Sequence, residues 1–175
     1  MPTKVGRYAA WASAYACLTG AVFAGAPAAA AERVSPAETA VARSEIQALL
    51  ALALMTFDNK DFARFAKLFS PRGRFTVDDP SGRVVFAPQN MEAAFTAREV
   101  NEPGAVRHIL SGPYITLRDR SHAKLRGYYM GVARSSSGPP TPADLGAFDS
   151  RLVKVRGEWM FEDYHVIHAG PVPLD

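Results

Sequence analysis

The sequence predicts an α+β domain in which helices come first and a strongly twisted, mixed but mainly antiparallel sheet follows. Three observations carry this prediction. Apolar residues recur at helical spacing from Ile46 to Phe57, four extended runs occupy the chain after Val106, and clusters of Gly, Pro and Ser bound those runs. With 175 residues and 48% hydrophobic content, the chain suits one sizeable core.

The N-terminus reads as a processing segment. Lys4 and Arg7 precede an uncharged run from Tyr8 to Ala31, and Ala29-Ala30-Ala31 ahead of Glu32 fits a small-residue cleavage site. Residues 1–31 are therefore expected to be an export signal peptide. Its removal would leave no stable membrane anchor and a periplasmic or secreted protein. The run is long enough to span a bilayer, yet its many Ala and Gly residues and Pro27 make it a poor span. Cys17, the only cysteine, falls inside it, so the mature chain can form no disulfide. Without Lys4 and Arg7 the 20 basic residues become 18 against 17 acids, a net charge of +1. No Lys/Arg cluster remains to bind nucleic acid.

Residues 32–43 read as a linker or fraying lead-in. From Ser44 onward Ile46, Leu49, Leu50, Ala53, Leu54 and Phe57 share one face of a long helix. Asp58 stands one turn beyond Leu54 on the same row, which aims its carboxylate toward the core side. Asn59-Lys60 break the pattern, and Asp61 can cap a short second helix carrying Phe62, Phe65, Leu68 and Phe69, ended by Pro71-Arg72-Gly73. Residues 74–78 and 83–86 form two strands around the turn Asp79-Pro80-Ser81-Gly82. A third helix covers 88–99, with Met91, Ala94 and Phe95 on one side. The remaining strands span 106–117, 122–134, 145–155 and 158–168, with Arg156-Gly157 as a tight turn. Ser135 to Pro142 is expected to be a mobile connection, being rich in Pro, Gly and Ser.

This order of elements, the segment TFDNKDFARFAKLFSPRGRFTV and the closing Leu152-Val153-Lys154-Val155-Arg156-Gly157-Glu158-Trp159-Met160-Phe161 resemble the SnoaL-like branch of the nuclear transport factor 2-like superfamily. The resemblance covers a domain at 44–169, leaving 170–175 as a tail. It implies a cone-shaped α+β barrel with a pocket between helices and sheet, and homodimers formed through the open sheet. Phe57-Asp58-Asn59-Lys60-Asp61-Phe62 is most similar to scytalone dehydratases, and the hexachlorocyclohexane dehydrochlorinase branch pairs an acid at the Asp58 position with a histidine at the His108 position as an elimination dyad. The chain departs from scytalone dehydratases at Phe57, which lacks a phenol hydroxyl. It departs again at Ala133 and Val77, where those enzymes carry a second histidine and a tyrosine.

Read from the residues themselves, an acid at the inner edge of an apolar helix and a histidine on a strand make a compact general base for near-neutral pH. His108 shares a strand face with Leu110, while Arg107 points the other way. Asp58 would fix the imidazole tautomer so that the other nitrogen faces a substrate. Tyr129, alternating with Leu125 and Gly127, is the candidate hydroxyl for a substrate oxygen. Phe57, Phe148 and Trp159 are candidate pocket walls. Asp149 is either a second pocket carboxylate or an outward partner of Arg151 or Lys154. His165 and His168, three apart on a strand, face opposite ways, so no metal is expected. No Gly-rich phosphate loop is visible, and no cofactor is expected. The expected function is a cofactor-independent lyase or isomerase, dehydratase-like, acting on a small hydrophobic substrate. The alternative is a non-catalytic periplasmic binding protein for a hydrophobic ligand.

Overall fold

A computed structural model describes residues 34–101, 106–133 and 138–168. The signal expected at 1–31, the tail at 170–175 and residues 135–137 of the expected mobile connection lie outside them. The first helix, α1, spans Pro36–Asp58. It opens with a reciprocal cap. The Ser35 hydroxyl accepts the Glu38 N–H at 3.2 Å, and the Glu38 carboxylate accepts the Ser35 N–H at 2.8 Å, with Pro36 in the first turn. The helix therefore begins eight residues before Ser44, and most of the stretch read as a linker is helical. Ala42, Ile46, Leu50 and Ala53 form its buried row. By length and composition α1 could cross a membrane, but that row sits in the core of this domain.

Lys60 ends the helix in the left-handed region, at φ 64°. The second helix, α2 (Phe62–Ala66), is capped by the Asp61 carboxylate, which accepts the Arg64 N–H at 3.1 Å. It is shorter than the apolar pattern predicts. Phe69 instead opens strand β1 (Phe69–Asp79), paired with Phe161, and the Phe161 N–H donates to the Leu68 carbonyl at 2.9 Å. Sheet pairing wins over helical periodicity here. Pro71-Arg72-Gly73 is a bulge within β1 rather than a stop: the register shifts between Phe69 and Arg74, and a Cβ at Gly73 would lie 2.6 Å from the Phe161 carbonyl oxygen.

The remaining elements are β2 (Gly82–Phe86), α3 (Pro88–Asn101), β3 (Val106–Leu117), β4 (His122–Ala133), β5 (Thr141–Val155) and β6 (Glu158–His168). β5 starts inside the stretch expected to be mobile. Thr141 and Pro142 pair with Ala133 and Val132, next to a register shift that accommodates the missing proline N–H. The sheet order is β2-β1-β6-β5-β4-β3, with β1 and β6 parallel and every other pair antiparallel. Register shifts also interrupt β3 and the β5–β6 pair, which increases local twist and bends the sheet. The result is the α+β cone expected from the sequence. Its core joins the inner row of α1 to Leu125, Phe148, Leu152 and Phe161 of the sheet. It continues into an aromatic cluster in which the Phe65 ring stands edge-on to Phe57, Phe69 and Phe75 at 5.2, 5.1 and 5.7 Å.

Candidate functional site

A cavity of about 430 Å³ opens between the helices and the sheet. Most of its wall is apolar, with Leu54, Phe62, Phe86, Phe95, Val77 and Val166 among the lining residues, while a few polar groups interrupt that surface. Lys60 and Glu99, also lining it, form an ion pair at 2.6 Å that ties the α1–α2 corner to α3.

Asp58 and His108 meet at this cavity. Asp58 is the last residue of α1, and one carboxylate oxygen lies 2.6 Å from His108 Nδ1 while the other accepts the His108 backbone N–H at 2.9 Å. A carboxylate clamped on both groups of one residue fixes the ring's orientation as well as its tautomer. Nδ1 carries the proton toward Asp58, which leaves Nε2 as the nitrogen for a substrate. The side chains are 9% and 21% exposed, so the pair is shielded without being sealed. Arg107 reinforces the junction by donating from its guanidinium to the Asp58 carbonyl at the C-terminal end of α1. Phe57 also lines the cavity, its ring edge-on to the imidazole at 5.9 Å.

Tyr129 lines the cavity too, whereas neighbouring Tyr128 is 53% exposed on the opposite face. Its hydroxyl donates to Asp144 Oδ2 at 3.0 Å and lies 2.8 Å from His168 Nδ1. His168 Nδ1 is in turn 2.9 Å from Asp144 Oδ2. Burial and the nearby Asp144 charge push the Tyr129 phenol well above the ordinary tyrosine range, so it is a donor and not a base. Tyr164, another lining residue, is pushed up in the same direction by burial and by Asp58.

Three candidate residues are not at the cavity. Phe148 lies on the same strand face as Tyr129's neighbour Gly127, but a Cβ on that glycine would be 2.5 Å from the Phe148 ring. The ring fills the space Gly127 leaves, under Tyr164, and is core. Asp149 faces away from the cavity, opposite Arg126 in the β4–β5 ladder at 3.5 Å and near Lys124 at 3.7 Å. Its partners come from the adjacent strand rather than from Arg151 or Lys154. Trp159 sits beneath Lys154, whose ammonium is 5.5 Å from the ring and bonds Glu45 at 2.8 Å. Glu45 is 13 residues before Asp58, or about 20 Å along the helix at 1.5 Å per residue, so Trp159 closes the far end of the core.

Asp144, Tyr164 and His168 are cavity residues that the sequence reading did not select. Alternation along β6 was the available signal, because Tyr164, Val166 and His168 share one face. His165, on the other face, bonds Asp78 at 2.8 Å. Among the described residues no group of three or more His, Cys, Asp or Glu side chains is placed to hold a metal ion.

Solved structures with this fold include an NTF2-like protein with a cystatin-like fold from Novosphingobium aromaticivorans, at 15% identity over 78% of this chain and 87% of that one, with a TM-score of 0.66. A second protein from the same organism, named as a proposed scytalone dehydratase, matches at 16% identity over 78% and 89% with a TM-score of 0.64. A Catenulispora acidiphila protein in complex with S-DNPA matches at 18% identity over 74% and 94%, again with a TM-score of 0.64. Among curated proteins no sequence match is found. The model of the SnoaL-like domain matches residues 38–165, nearly the whole folded unit, and the chain belongs to the SnoaL-like family.

Proposed function

We propose that the protein is an exported, cofactor-independent lyase or isomerase that removes an acidic C–H proton from a small, largely apolar substrate. His108 is the base, and Asp58 holds the ring and stabilises the imidazolium that forms. The observation that carries this reading is the two-point clamp of Asp58 on His108, at 2.6 and 2.9 Å, beside an aromatic cavity. A cavity of this size and polarity suits a molecule of one or two rings. The likeness to the protein named as a proposed scytalone dehydratase supports the elimination chemistry, and the S-DNPA complex of another neighbour supports small-molecule binding. A placed base of this kind contributes about a hundred- to ten-thousandfold.

The test is His108→Ala, with the fold checked by circular dichroism and turnover of co-purified or screened ligands followed by mass spectrometry. Abolished turnover with retained fold is the expected result. A carrier without chemistry would instead bind its ligand more weakly in the variant and yield no product in the wild type either. Export rests on the charge pattern and cleavage site at the N-terminus, and sequencing the N-terminus of secreted material checks it. A homodimer would cover Ile109, Tyr128 and Leu145, which are exposed together on the outer sheet face, and light scattering measures it.

A further inference from the structure

The cavity holds a second imidazole with its own carboxylate. His168 on β6, Asp144 on β5 and Tyr129 on β4 close a triangle: Tyr129 Oη to Asp144 at 3.0 Å, Tyr129 Oη to His168 Nδ1 at 2.8 Å, and His168 Nδ1 to the two Asp144 oxygens at 3.1 and 2.9 Å. Proton accounting fixes the ring. A phenol has one proton, and if it went to Nδ1, that nitrogen's lone pair would face the Asp144 carboxylate with nothing between them. The arrangement is satisfied when Tyr129 donates to Asp144 and His168 Nδ1–H donates to Asp144 and the phenol oxygen. Nε2 is then the nitrogen that a ligand can meet.

The backbone is shaped for this cluster. Gly146 pairs with Tyr129 on one side and His168 on the other, and a Cβ there would meet the Ile167 carbonyl oxygen of the β6 backbone and would lie 2.6 Å from both Cε1 and Oη of Tyr129. Only a glycine lets the phenol lie across β5 to reach its partners. The Tyr129 ring is also 6.0 Å from the His108 ring and 6.1 Å from the His168 ring, so one phenol borders both imidazoles within a single cavity.

We propose that His168 is the proton donor to the departing oxygen of the substrate, opposite His108 as proton acceptor, and that Asp144 and Tyr129 are its positioning residues. This rests on the reading of His108 as the base. The C–H bond breaks, its proton passes to His108 Nε2, and its electron pair is held as the enolate of the substrate's neighbouring carbonyl until it forms the C=C bond as the hydroxyl leaves. The C–O bond then breaks with its pair going to oxygen, which takes the proton from His168 Nε2 and leaves as water. His108 ends protonated and His168 neutral, and exchange with solvent resets both. Asp144 balances the His168 imidazolium as Asp58 balances that of His108. The substrate class is a small aryl or alicyclic compound with a hydroxyl β to a carbonyl: the carbonyl acidifies the C–H that His108 takes and holds its electron pair, and hydroxide is a poor leaving group without the proton from His168.

The probes are 4-hydroxy-4-phenylbutan-2-one and its 4-chloro counterpart, which give the same enone and are followed by its ultraviolet absorbance. Chloride needs no proton to leave. His168→Ala and Asp144→Asn should each slow the hydroxy probe on the order of a hundredfold or more and leave the chloro probe within about threefold, whereas His108→Ala should stop both. Tyr129→Phe, which removes the hydroxyl and keeps the ring, should follow the His168 pattern more weakly. Equal loss on both probes in His168→Ala would reduce the cluster to a structural role, and unchanged rates on both would remove it from the reaction. Activity retained in His108→Ala would instead sink the base assignment, and a wild type that turns over neither probe would refute the substrate class.

Discussion

Asp58→Asn tests the dyad without any substrate. Both Asp58 oxygens accept from His108, one from the ring and one from the backbone N–H. The backbone N–H can only donate, so the asparagine oxygen must turn to it and the amide NH2 must face Nδ1. Nδ1 then has to accept, and the ring proton moves to Nε2, where the lone pair of the base was. The loss in proton abstraction should be on the order of a hundred- to ten-thousandfold. Stability should fall less, because a neutral hydrogen bond replaces a charge-assisted one in a partly exposed pair. The difference is about 1–2 kcal/mol, or roughly 4–8 °C in Tm for a domain of this size. Long-range ¹⁵N–¹H correlation spectra of the imidazoles read the tautomer directly: Nδ1–H is expected for His108 in the wild type and Nε2–H in the variant. A wild type already in the Nε2–H form, or a tautomer indifferent to the substitution, would refute the reasoning.

Other perturbations probe the frame that holds the site. Phe65→Ala removes a ring that is 1% exposed and edge-on to four neighbours, and should cost about 3–5 kcal/mol, seen as a large drop in the thermal unfolding midpoint. Ser35→Ala removes half of the reciprocal cap of α1 and should cost about 1 kcal/mol in denaturant titration, with Ser35→Asp close to neutral. The Arg83 guanidinium, with help from His165, holds the Asp78 carboxyl well below the usual carboxylate range. A depressed folded-state pKa gives stability that is present above the unfolded value, about 4, and is lost as pH falls below it. Asp78→Asn should therefore flatten the acid limb of the denaturation midpoint below about pH 4, while parallel curves for the two proteins would contradict this.

Periodicity and turn chemistry exposed most of the fold because its long elements obey a single rule each. The limits of β3 and β6 follow from alternation and the flanking turns alone. Boundaries slipped where two rules competed. Ser35-Pro36-Ala37-Glu38 is a capping signature, but the residues after it carry too little apolar surface to read as a helix until Ile46, so periodicity alone starts α1 too late. Phe69 fits the helical row of Phe62 and Phe65, yet its parallel partner Phe161 lies ninety-two residues away in the chain and claims it for the sheet. At Thr141 and Pro142 composition argued for a loop, and a bulged ladder with β4 overrode it.

The site was legible to the extent that parity, without register, can reveal one. Helical row and strand face placed Asp58 and His108 toward the interior, and only the fold brings α1's last residue to β3. Parity also says that Tyr164, Val166 and His168 share a face, but not which face, nor that Gly146 lies between His168 and Tyr129. That adjacency depends on the β4–β5–β6 register, which passes through a bulge near Gly131 and another near Arg151. A one-residue slip at either would turn Tyr129 or His168 away from its partner. The same uncertainty misplaced Asp149 and Phe148, adjacent residues that necessarily face opposite ways: one met a cross-strand arginine outside, and the other filled the hollow above Gly127 inside. The two glycines separate the roles. Gly127 admits a phenylalanine that seals the core, while Gly146 admits a tyrosine that carries a hydroxyl to the cavity's second histidine.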